Sequence, residues 1–202
     1  MSQKSSTYKG LCACVNKHYN EEQAARMLKT AERRYDDLCQ NHKDYPKALR
    51  HHTVTNIFPA MGVFDALLAE GFSREEAAEE LMQLFGEAME APAAMLRKVA
   101  RFPGLYRKMP KIFVKFVGKQ YGPDAGFGVR FYDLGADHAK LDVVECPYCR
   151  VCRELGYPEI IPVFCYSDDI VYGNMHPKLK WNRTQTIGRG GNCCDFDIKL
   201  LK

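Results

Sequence analysis

FGVRFYDLGADHAKLDVVE, residues 127–145, is where the chain changes its period. Phe127 to Leu134 and Lys140 to Glu145 carry alternating, β-branched and aromatic side chains, the pattern of strands whose successive residues face opposite sides of a sheet. Downstream, Lys178 to Ile187 and Cys194 to Leu200 read as a second antiparallel pair, joined by the tight Gly188-Arg189-Gly190-Gly191-Asn192 loop. Between the pairs, Tyr148 to Leu155 and Asp168 to Asn174 read as short helices.

Upstream of Gly122-Pro123 the pattern is helical. Glu21 to Asp44 places Ala24, Ala25, Leu28, Ala31, Tyr35 and Leu38 at three- and four-residue spacing with charges between them, which is the amphipathic period. A second helix covers part of Ala48 to Ala69, bent or started near Pro59, and Gly71 ends it. Ser73-Arg74-Glu75-Glu76 has the form of a capping box, opening a helix that runs to about Glu90. Pro92, Pro103 and Pro110 divide the basic region into short helical pieces, the last Lys111 to Tyr121. Helices first and strands later predict an α+β fold, a helical N-terminal half packed on a C-terminal antiparallel sheet. A length of 202 residues suits a single domain over 1–202, helical over about 20–121 and strand-rich over about 127–202.

The composition, 46% hydrophobic and 27% charged, is that of a globular protein rather than a disordered one. No stretch approaches the roughly 18 unbroken apolar residues of a membrane span, and MSQKSSTYKG has no apolar h-region. A soluble, cytoplasmic protein without a transmembrane segment is expected. Nine cysteines, an odd number with several adjacent or three apart, then point to reduced thiols, a metal or catalysis rather than disulfides. The net charge of +4 is too mild to suggest nucleic acid as the partner. The basic run from Arg97 to Lys119, interleaved with Phe102, Tyr106, Ile112, Phe113, Val114 and Phe116, reads as a solvated helix face whose apolar side packs on the core. An acidic ligand, a lipid surface or RNA would be its alternative partners. The oligomeric state is not legible.

Three constellations carry the candidate chemistry. Cys146-Pro147-Tyr148-Cys149 places two thiols three residues apart, and with Cys194 they are candidate ligands for zinc. In Phe164-Cys165-Tyr166-Ser167-Asp168-Asp169 a thiol leads into a predicted helix N-terminus, where free backbone donors would lower its pKa. One of Asp168 and Asp169 would cap that helix, and the other would bind a cationic group or move a proton. His176 is a natural acid/base group or ligand, and Arg183 and Arg189 are placed to fork onto a carboxylate. The glycines at 188, 190 and 191 match no phosphate loop, since a strand comes after them.

CPYCRVCRELGYPE (146–159), PVFCYSDDIVYGNMHP (162–177) and RTQTIGRGGNCCDFDI (183–198) together strongly resemble the L-2-amino-thiazoline-4-carboxylic acid hydrolase family. The likeness runs from Cys146 and Cys149 through the C-x-x-D of Cys165 and Asp168 to the closing G-x-x-C-x-F of Gly191, Cys194 and Phe196. Ile57-Phe58-Pro59, Leu67-Leu68 and the helix start at Ser73 extend it to most of the chain. The stretch from Gly190 to Ile198 is also similar to the end of vinyl-reductase-type small-ligand-binding domains, in which cysteines can hold zinc. There Gly191 stands in place of an acidic residue.

The first resemblance implies hydrolytic opening of a small cyclic amidine at a C–N bond. In that reading Asp168 or Asp169 binds the cationic head, and Arg183 or Arg189 binds the carboxylate. The Cys165 or Cys194 thiolate attacks, or a water activated by His176 or a cysteine-bound metal does so. His176 or Asp168 then protonates the leaving group. The alternative is a non-enzymatic small-ligand or zinc-binding protein on the same cysteine framework.

Overall fold

The computed structural model describes residues 4–201, so Met1 to Gln3 of the MSQKSSTYKG stretch, and Lys202, lie outside it. The helical half comprises α1 (Ser6–His18), α2 (Glu21–Asn41), α3 (Lys47–His52), α4 (Phe58–Ala69), α5 (Arg74–Ala100) and α6 (Met109–Gln120). The second half comprises β1 (Gly128–Leu134), β2 (His138–Glu145), α7 (Pro147–Glu154), α8 (Ile161–Gly173), β3 (Leu179–Asn182) and β4 (Cys194–Leu200). The fold is α+β, with one antiparallel sheet in the order β1-β2-β4-β3.

Several boundaries come directly from local chemistry. Ser73 and Glu76 form the reciprocal capping box, with the Glu76 N–H donating to the Ser73 hydroxyl at 3.2 Å and the Ser73 N–H to the Glu76 carboxylate at 2.9 Å. α1, for which the sequence pattern gave no expectation, is capped by Ser5 and buries Leu11, Cys14 and Val15. Between α3 and α4 the backbone takes a π-helical turn, Thr53–Ile57, and α4 starts beside Pro59 as the sequence predicts. Pro59 sits in the first turn of α4, where its missing N–H costs nothing.

Two expectations fail at prolines. α5 continues past Pro92 to Ala100, because Ala93 and Ala100 are fully buried and Leu96 packs on the second core. That burial outweighs the roughly 3 kcal/mol that an interior proline costs. α8 begins at Ile161 rather than Asp168, with Pro162 in its first turn. Cys165 therefore lies in the second turn, past the four free donors of the N-terminus, and Asp168 and Asp169 are interior residues rather than caps.

β3 is shorter than expected. The Asp195 carboxylate accepts from the Thr184 and Gln185 N–H groups at 2.9 and 2.8 Å and from the Thr184 hydroxyl at 2.6 Å, which pulls the backbone out of the ladder after Asn182.

Two buried clusters hold the chain. One is helical, built on α1, α2, α4, α5, α7 and α8, and it is close enough that a Cβ on Gly62 of α4 would stand 2.6 Å from the Ala31 carbonyl of α2. The other lies under the sheet, where Ala139, Leu141 and Val143 of β2 pair with Ile198, Phe196 and Cys194 of β4 and pack with Met109, Phe113 and Val117 of α6. The opposite side of α6 leaves Ile112 and Phe116 exposed, so the basic run packs on the core along one face only. Among the described residues no helix is long and apolar enough to cross a membrane. Cys146, Tyr148 and Ile187 pack against both clusters, and they mark the seam where the candidate site lies.

Candidate active site

A cavity of about 200 Å³ opens at this seam. An apolar cavity of about 150 Å³ accepts benzene, so the space suits one small ring with a substituent. Among the described residues nine aromatic side chains line it, drawn from α5, α6, α7, α8, β3, β4 and the segment between α6 and β1. Cys146, Cys149, Cys165, Cys194 and Asp168 lie on its wall. Thiols and a carboxyl group dispersed over residues 146–194 are thus gathered by the fold.

Cys165 and Asp168 are three residues apart on α8, which puts both on one helix face. On β4, Cys194 and Phe196 point inward by strand alternation, while Asp195 between them shapes the loop. That loop lies close on α8. A Cβ on Gly188 would stand 2.7 Å from the Cys165 sulfur, so this glycine answers to close packing and not to a phosphate.

Asp168 is the chemically distinctive group. Burial pushes its carboxyl up to about 7, against the pull of the Arg183 guanidinium and with a further push from the Asp169 charge. Arg183 donates to Asp168 at 3.3 Å, to Asp169 at 2.7 Å and to the Cys165 carbonyl at 2.7 Å, and it lies over the Phe196 ring. Its side chain is 3% exposed. The fork expected to take a substrate carboxylate is instead spent on α8, which it holds in place.

Three of the cavity thiols, Cys146, Cys165 and Cys194, are pushed away from ionisation. Burial raises Cys165 above its ordinary value, and the neighbouring Thr186 hydroxyl offsets only part of the rise. Burial pushes Cys194 up to about 12, although its sulfur accepts the Ile187 N–H at 3.3 Å. The neighbouring Cys149 thiol, with burial, holds Cys146 well above the usual thiol range. The predicted lowering of the Cys165 pKa required a helix starting just after it, at Asp168, whereas α8 starts four residues before it, at Ile161.

The model of the family described as L-2-amino-thiazoline-4-carboxylic acid hydrolase matches residues 55–198. The chain belongs to that family. No curated protein and no solved structure matches it. The matched segment of this aminothiazoline-carboxylate hydrolase family member contains all four cavity cysteines and Asp168, and it begins one residue before Asn56.

Other predicted groups of this family member stand elsewhere. His176 stacks on Tyr106 with ring centres 4.4 Å apart, and its Nδ1 accepts the Lys178 N–H at 3.0 Å. It is a turn residue and does not line the cavity. Arg189 is exposed at the loop tip and also stays outside. Asp169 pairs with Arg183 and accepts from the Trp181 indole at 3.4 Å. Cys146, Cys149 and Cys194 share the cavity wall, yet among the described residues no three His, Cys, Asp or Glu side chains are placed to hold a metal ion.

A buried relay gave no signal of its function in the sequence pattern. His52 Nε2 lies 2.9 Å from the Gln120 carbonyl and donates to it, which leaves Nδ1 to accept the Tyr148 hydroxyl at 3.1 Å. Tyr148 in turn accepts from the Asn56 amide at 2.9 Å, and Asn56 accepts the Thr7 hydroxyl at 2.9 Å. Burial lowers the His52 pKa and favours the neutral ring this pattern needs. Asn56 sits in the π-helical turn and lines the cavity with Tyr148. The one available hint was a polar residue directly before the apolar Ile57-Phe58-Pro59.

Proposed function

We propose that this chain hydrolyses a small cyclic amidine, with Asp168 as the acid/base group and water as the nucleophile. The observation that carries the reading is the place of Asp168, the one acid among the described residues of the aromatic cavity wall, held by Arg183 at 3.3 Å and pushed up to about 7 by burial. A general base works best when its pKa lies near the operating pH, because it is then both available and basic enough. Its ionised form pairs with the protonated amidine and takes a proton from a water attacking the ring carbon. The oxygen–carbon bond forms, the bond from that carbon to the ring heteroatom breaks, and the proton held by Asp168 passes to the departing heteroatom. One molecule of water is added, and the carboxylate is regenerated.

Cys146, Cys165 and Cys194 then serve as wall and as weak hydrogen-bonding groups rather than as nucleophiles, since protonated thiols attack poorly. Arg183 is a positioning residue that keeps Asp168 aimed and tempers its pKa. The Asn56–Tyr148–His52 relay fixes the facing wall.

Ring opening of 2-amino-2-thiazoline and related cyclic amidines, monitored by the appearance of free thiol or amine, tests the assignment. Asp168→Asn is expected to lower kcat/KM by about 10²–10⁴-fold, the usual weight of a general base, while Cys165→Ser lowers it by less than about 10-fold. The reverse ranking would show a thiolate mechanism and overturn the water route.

A further inference from the structure

Arg183 is a cation within reach of the cavity's acid, yet it cannot serve a ligand. Its donors face the Cys165 carbonyl, Asp168 and Asp169, and only 3% of its side chain is accessible. Among the described residues that line the cavity there is no lysine, arginine or histidine, and Asp168 is the only acid. The polar groups beside it are neutral hydroxyls, thiols, an indole and an amide, of which the Asn56 amide donates to Tyr148 and the Ser167 hydroxyl to the Phe164 carbonyl at 2.8 Å. The aromatic wall is continuous near Asp168. Trp181 lies 4.8 Å from Tyr172, 5.2 Å from Phe196 and 5.5 Å from Phe113, centre to centre.

From this we infer that the site takes a flat organic monocation of the amidinium type that bears no acidic group. The inference rests on the hydrolase reading and narrows it, because the compound that names the family carries a carboxylate. The cation gains twice in this cavity, from the Asp168 carboxylate and from the electron-rich ring faces. An added carboxylate loses twice, for it leaves water without a cationic partner and enters beside a like charge. A single ring fits the volume, and aromatic faces favour a planar one.

Trp181 is the chain's one tryptophan and lines the cavity, so its fluorescence reports occupancy directly. The full-length protein is titrated with 2-amino-2-thiazoline, its 4-carboxylate and its 4-carboxamide. The uncharged-substituent compounds are expected to quench saturably and to bind at least about 10-fold more tightly than the acid. In Asp168→Asn the first compound weakens at least about 10-fold, and the gap to the acid closes.

Binding of the acid as tight as that of the parent amine would overturn the inference and leave the hydrolase reading standing. Rejection of the carboxamide as strong as that of the acid would also overturn it, by showing that bulk decides. Quenching by none of the three, with the protein folded by circular dichroism, would overturn the ligand cavity and the hydrolase reading with it.

Discussion

At the residue scale the proposed chemistry starts from one carboxyl group, Asp168, which lies on an aromatic cavity wall where burial pushes it up to about 7. The rate through kcat/KM should rise with pH along a limb near 7, because the ionised Asp168 is the working form and protonation below that pH removes it. Arg183 lowers the carboxyl against the larger effect of burial, so removing its charge raises the Asp168 pKa further. Arg183→Gln is accordingly expected to move that limb to higher pH, whereas a purely structural role would lower the rate at every pH and leave the limb in place. The C-x-x-D of Cys165 and Asp168 stood out in the sequence through the family resemblance, but a helix starting at Asp168 did not put the two on one face. The fate of Arg183 was not legible, because a guanidinium looks free until the three acceptors presented by α8 are known. His176 misled for the same reason, as its partners are its own turn and Tyr106.

Elements were most legible where one local rule decides them. The capping box marks the start of α5, and removal of the Ser73 hydroxyl by Ser73→Ala should cost about 1 kcal/mol in chemical denaturation, without affecting ligand binding. The strands β1, β2 and β4 are visible in their alternation. Rules that compete with burial gave the errors. Pro92 should have ended α5, but Ala93, Leu96 and Ala100 draw it onward into the cores. The helix expected over 168–174 is too short because the apolar run from Ile161 to Phe164 lacks amphipathic period, being buried almost all round. That error hid the position of Cys165 in the second turn. It also hid the contact of Gly188 on α8, where Gly188→Ala is expected to lower the thermal midpoint and weaken Trp181 quenching together, since the added methyl has nowhere to go except against Cys165 and Ile161.

At the scale of the whole molecule, the site is a product of how two cores meet. The helical cluster and the sheet cluster share Cys146, Tyr148 and Ile187, and the space left between them is the cavity. Order along the chain predicts both halves but not the gap, which depends on the angle at which α6 and α8 approach the sheet. A cavity kept open carries a stability penalty, because its lining forgoes contacts. Val117→Phe, directed into it from α6, should hold or raise the thermal midpoint while abolishing Trp181 quenching by the amidine. A site built from fixed walls would otherwise show binding and stability changing in step.

The proposed chemistry turns on the protonation of Asp168, which can be observed directly. The side-chain carboxyl carbon of Asp168, identified by its absence from Asp168→Asn, is tracked by carbon NMR from pH 4 to pH 9 in the free protein. A midpoint close to 7 is the predicted result. Titration near 4, like that of a solvated aspartate, would contradict the account.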